Sequence, residues 1–97
     1  MLYTIDEIRV KTVPIAKSFG IKSVSLFGSY ARGDASSNSD VDLYIEKGKL
    51  RSLFQYFEFV HALEKELGCH VDVVTTDIND THFLSKITKE GVLIYES

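Results

Sequence analysis

The stretch that decides the fold runs Gly28-Ser29-Tyr30-Ala31-Arg32-Gly33, then through a polar loop to Ser39-Asp40-Val41-Asp42-Leu43. Val24 and Leu26, up to Phe27, read as a buried strand that Gly28 ends. Glycine lets the backbone approach a ligand closely. Ser29 to Gly33 has room for one short helical turn. Free N–H groups at such a turn, with the Ser29 hydroxyl, suit phosphate oxygens. Arg32 on the same element can pair with a phosphate or a carboxylate. The polar segment from Asp34 to Ser39 is loop-like. A second strand is expected from about Asp40 to Ile45. Side chains alternate along a strand, so Asp40 and Asp42 emerge on one face while Val41 and Leu43 turn to the core. Two adjacent carboxylates repel unless a cation lies between them. Mg²⁺ accepts carboxylate and phosphate oxygens together. The pattern therefore describes a site for a metal-bound nucleoside triphosphate. Gly28, Ser29, Arg32 and Ser39 are its candidate nucleotide-binding residues.

Working outward, Thr4 and Glu7 form a capping-box pair at the start of a first helix. Ile5, Ile8, Ile15 and Phe19 fall close to one face of it. Pro14 removes a backbone donor, which predicts a kink or a restart there. Gly20 is the expected stop. After a turn at Gly48, the spacing becomes helical. Leu50, Leu53, Phe54, Phe57, Val60 and Leu67 make an apolar stripe that Gly68 ends. A third strand, His70 to Thr75, carries Asp72 between Val71 and Val73. An aspartate among such neighbours needs a cation or hydrogen-bond partners, so Asp72 is the candidate third carboxylate. Asp77 to Lys89 reads as a helix with Phe83, Leu84 and Ile87 inward and Asp80 as its cap. Gly91 and the run Val92 to Tyr95 give a last strand. The expected class is α/β (α+β), a small mixed sheet flanked by helices, with the strand order left open.

Length and composition bound the rest. Ninety-seven residues argue for one domain, 1–97, with little room for a second substrate lobe. Hydrophobic residues make up 44% and charged residues 26%, the balance of a soluble globular chain. The net charge of −3, without a basic block, disfavours sequence-blind nucleic-acid binding and suits a basic protein partner. A single cysteine, Cys69, excludes an intrachain disulfide and a Cys-based zinc site, which fits a reducing cytoplasm. No signal peptide and no apolar run of membrane-spanning length is visible.

Competing motifs fail on their own requirements. Gly28 to Gly33 has P-loop glycine spacing, but Asp34 stands where lysine is needed. A nucleophile elbow needs a glycine two residues before the serine, where Phe27 stands. His61, His70 and His82 lack metal-ligand spacing. His70 shares a face with Asp72, yet reads more simply as an exposed strand-end residue. Phe54, Phe57 and Phe59 suit a core or a partner interface. Lys47, Lys49 and Arg51 suit a solvated turn.

The Gly-Ser pair, the ten residues between Ser29 and Asp40, the Asp-x-Asp pair and the later Asp72 resemble the DNA polymerase β-like nucleotidyltransferase superfamily. Its small size is similar to the minimal nucleotidyltransferase (MNT) branch, whose members pair as antitoxins with HEPN ribonuclease toxins. The resemblance implies a polymerase β-like fold and two Mg²⁺ ions on Asp40, Asp42 and Asp72. It also implies β- and γ-phosphates on Gly28 and Ser29, and Asp72 activating the acceptor hydroxyl. For the antitoxin branch it implies AMP transfer from ATP to a tyrosine of the toxin within a hetero-oligomer. Two other readings stand beside it. One is a steric antitoxin without catalysis. The other is a transferase for aminoglycoside-like small molecules that borrows a partner chain's helices.

Overall fold

The computed structural model describes residues 2–75, 82, 85 and 89–97. Its elements are α1 (Ile5–Ser18), β1 (Ser23–Phe27), α2 (Gly28–Arg32), β2 (Val41–Glu46), α3 (Leu53–Leu67), β3 (Val71–Thr75) and β4 (Val92–Glu96). The helix expected over Asp77 to Lys89, with Asp80, Phe83, Leu84 and Ile87, lies largely outside the described residues.

Thr4 caps α1 as its sequence requires. Its side chain accepts from the Glu7 N–H, and Glu7 reaches back to the Thr4 N–H. The helix ends in a Schellman motif: Gly20 donates to the Lys17 carbonyl and Ile21 to the Ala16 carbonyl. Gly20 takes φ 69°, a conformation that glycine adopts without a Cβ penalty. The helix does not restart at Pro14: α1 runs through it. Proline frees the carbonyl four residues earlier, on Val10, and Val10 is 72% exposed. Water can satisfy a carbonyl on that face.

The four strands lie in the order β3-β2-β1-β4. β1 pairs antiparallel with β2 and with β4, while β2 and β3 are parallel. The parallel pair needs a crossover, and α3 supplies it. Strand β2 alternates buried and half-buried residues. Val41, Leu43 and Ile45 enter a core shared with Ile8 and Ala16 of α1 and with Phe59, Leu63 and Leu67 of α3. Phe19 meets Phe59 edge to face at 5.5 Å. Asp42, Tyr44 and Glu46 point to the opposite side of the sheet.

Helix α3 is turned from the orientation its stripe suggests. Phe59, Leu63 and Leu67 face the core, whereas Leu53, Phe54 and Phe57 are exposed, Phe54 by 82%. Leu50 is buried, but in the turn before the helix. The helix is apolar on more than one face, so spacing alone does not select the inward one. Tertiary contacts select it: Tyr56 donates its hydroxyl hydrogen to the Val73 carbonyl at 3.1 Å, and Tyr3 donates to the Leu67 carbonyl.

Candidate active site

The site is built where β1 ends, β2 begins and β3 begins. Antiparallel pairing sets Phe27 opposite Asp42, and parallel pairing sets Asp42 opposite Asp72. Directly paired residues on neighbouring strands share a face, so both carboxylates leave the sheet on the same side. Asp40 immediately precedes β2 and stands two residues from Asp42. Carboxylate oxygens of Asp40 and Asp72 and a ring nitrogen of His70 lie within 4.8 Å of one another.

Gly28 closes the other side. It follows Phe27 directly and takes φ 73°. A Cβ there would lie 2.3 Å from Asp42 Oδ2, closer than atoms can approach. Glycine is thus required twice, by conformation and by space. Ser29 follows in the first turn of α2, which closes with Gly33 donating to the Ser29 carbonyl at 3.0 Å.

The electrostatics follow from this crowding. Burial lifts the Asp42 carboxyl to about 6, aided by the charge and hydrogen bond of Asp72 and the charge of Asp40; Arg32 partly opposes it. Near neutral pH the cluster therefore holds negative charge without enough compensation. Carboxylate oxygens predominate in it, with a ring nitrogen of His70 beside them, and carboxylate oxygens are what Mg²⁺ takes. The residues fit a divalent cation.

Other sequence candidates fall at varying distances from this centre. Arg32 forms ion pairs with Asp34 at 3.3 Å and Glu90 at 3.7 Å. Its charge still reaches Asp42. Ser39 is engaged in its own loop. Its Oγ accepts from the Ser36 N–H at 2.8 Å, and its N–H donates to the Ser36 carbonyl at 3.0 Å.

His70 is exposed, as expected, but lies just before β3 rather than within it, and it is also part of the cluster. Its Nε2 is 2.8 Å from Asp72 Oδ1 and its Nδ1 is 3.0 Å from Glu64 Oε2. The hydrogen bond to Asp72 raises its pKa; loss of hydration opposes this, and the charges of Asp72, Asp40 and Glu64 add to the rise. The His70-x-Asp72 alternation was the available signal. Nothing in the sequence pointed to Glu64, whose role depends on how α3 docks beside β3.

Comparisons with known proteins give the family. The Polymerase beta, Nucleotidyltransferase family matches residues 11–97. The Methanocaldococcus jannaschii protein MJ0435, named as a candidate protein adenylyltransferase, is 42% identical over 82 residues, 84% of this chain and 86% of its own. Protein adenylyltransferase MntA of Thermococcus cleftensis is 31% identical over 80 residues, 82% of this chain and 81% of its own. A toxin-antitoxin crystal structure with AMP-PNP shares the fold at TM-score 0.78 and 21% identity, covering 92% of this chain and 73% of that one. A tri-AMPylated Shewanella oneidensis HEPN toxin in complex with MNT antitoxin gives TM-score 0.72 at 17% identity, covering 97% and 74%. The chain belongs to the Polymerase beta nucleotidyltransferase family and is an enzyme of its minimal nucleotidyltransferase type.

Proposed function

We propose that this nucleotidyltransferase moves AMP from ATP to a tyrosine hydroxyl of a HEPN ribonuclease toxin, and so acts as that toxin's antitoxin in a cytoplasmic hetero-oligomer. The observation that carries the proposal is the convergence of Asp40, Asp42 and Asp72 on one sheet face against Gly28. The named activity of the relatives supplies the reaction, and the HEPN–MNT complex supplies the kind of partner. The acceptor is protein rather than nucleic acid, in keeping with a net charge of −3. Among the described residues no helix is long and apolar enough to cross a membrane.

The residues divide the work by position. Backbone N–H groups at Gly28 and Ser29 seat the triphosphate, and the missing Cβ of Gly28 leaves that seat open. Arg32 adds positive charge on the same side. Asp40, Asp42 and Asp72 would hold Mg²⁺. Bound there, the metal would neutralise charge developing on the α-phosphate and on the departing pyrophosphate. Asp72, on the exposed edge strand, faces the entering acceptor and takes its hydroxyl proton. The acceptor oxygen bonds to the α-phosphorus, the bond from that phosphorus to the β-bridging oxygen breaks, and pyrophosphate leaves.

Incubation with Mg²⁺, α-labelled ATP and a HEPN ribonuclease toxin from the same genome should label the toxin. Asp42→Ala should abolish the label. Absence of label with the unaltered chain, or equal label with the variant, rejects the proposal. Exposure of Leu53, Phe54 and Phe57 favours a second reading, in which docking alone neutralises the toxin. Equal neutralisation by Asp40→Ala and Asp42→Ala variants would establish it.

A further inference from the structure

We infer that His70 is a positioning residue for the Asp72 carboxylate, itself held in place by Glu64 of the crossover helix. The inference rests on the adenylyl-transfer reading above. The imidazole sits between two carboxylates, with Nδ1 3.0 Å from Glu64 Oε2 and Nε2 2.8 Å from Asp72 Oδ1. Glu64 is anchored independently, because the same Oε2 accepts from the Val71 N–H at 3.1 Å. One oxygen of α3 thus pins both the ring and the first peptide of β3.

Asp72 needs such a support more than Asp42 does. Asp42 lies on a central strand, wedged between Gly28 and Asp72. Asp72 is exposed on edge strand β3, where a carboxylate turns freely about its side-chain bonds. An exposed imidazole would do the same. With both ring nitrogens engaged, the ring is fixed, and its hold on Oδ1 fixes Asp72. Carboxylate–histidine pairs of this kind orient neighbouring groups in metal sites, and their loss typically costs ~10–100-fold in activity or metal affinity. Here the cost falls on the step in which Asp72 meets the acceptor, leaving the seating of ATP at Gly28 and Ser29 intact.

The test combines kinetics with carboxyl-carbon NMR on the full chain. His70→Ala should lower kcat by ~10–100-fold, with the KM for ATP and the melting temperature unchanged. His70→Gln, whose terminal amide reaches the place of Nε2, should recover most of the rate. His70→Asn, whose amide ends near the place of Nδ1, should not. In metal-free, ATP-free protein, Glu64→Ala should shift the Asp72 carboxyl resonance. Unchanged kcat in His70→Ala beside an active parent overturns the inference, as does an Asp72 resonance that ignores Glu64→Ala. A changed metal preference with full kcat at saturating metal also overturns it, because His70 would then be a ligand. An inactive parent instead rejects the adenylyl-transfer reading, and the NMR comparison still decides the link between Glu64 and Asp72.

Discussion

Asp42 carries a conflict between folding and chemistry. Its folded-state pKa of about 6 lies above the ordinary 3.8. A carboxyl raised in this way contributes stability that is fully present below about pH 4 and is lost as the pH rises through about 6. At pH 7, in chelator, Asp42→Asn should therefore be more stable than the parent by about 1 kcal/mol. That figure discounts the shift for the group's partial exposure. In a chain of this size it corresponds to a rise in Tm of ~4–8 °C. At pH 4 the gain should vanish. Thermal melts at the two pH values check it, and a variant no more stable at pH 7 contradicts it. The convergence of the acidic groups was legible in the sequence, since a period of two puts Asp40 and Asp42 on one side and Asp72 among core-like flanks. The Glu64–His70–Asp72 chain was not. It links a helix to a strand through side chains whose meeting depends on tertiary docking.

At the scale of elements, local signals served well where a single residue decides a boundary. Thr4, Gly20 and Gly28 mark ends that backbone hydrogen bonding and sterics enforce. Helix α3 shows where such signals stop. Its apolar residues wrap around it, and Phe54 and Phe59 lie about 140° apart at 100° per residue. Choosing the buried face requires knowing what the helix packs on, and its main helical neighbour, α1, is distant in sequence. The two phenylalanines should accordingly differ sharply in urea unfolding. Phe59→Ala, emptying a fully buried site, should cost ~3–5 kcal/mol. Phe54→Ala, on the exposed face, should stay within ~0.5 kcal/mol. Similar losses from both would mean that α3 is turned the other way. Pro14 taught the complementary lesson: it frees the Val10 carbonyl on an exposed stretch of α1, and the helix continues through it.

Across the whole molecule, strand order was the feature that no local pattern could supply. Alternation in β2 says which side is buried but not which strands lie beside it. The observed order, β3-β2-β1-β4, places the carboxylates on one central and one edge strand. Amide hydrogen exchange should reflect this order. Amides of β1 and β2 should exchange slowest, near the rate of global unfolding, and those of β3 faster through local opening. Magnesium with a non-hydrolysable ATP analogue should slow β3 selectively, and uniform slowing across the sheet would argue against a site that ties β3 to β2.

The parallel pairing of β2 with β3 also orders events during synthesis. Asp42 leaves the ribosome thirty positions ahead of Asp72, with the whole of α3 between them. A nascent chain halted within that helix has Gly28, Ser29, Asp40 and Asp42 but lacks Asp72. Asp72 joins Asp40 and Asp42 only when the crossover has folded back, so under the proposed function an unfinished polypeptide should transfer no AMP.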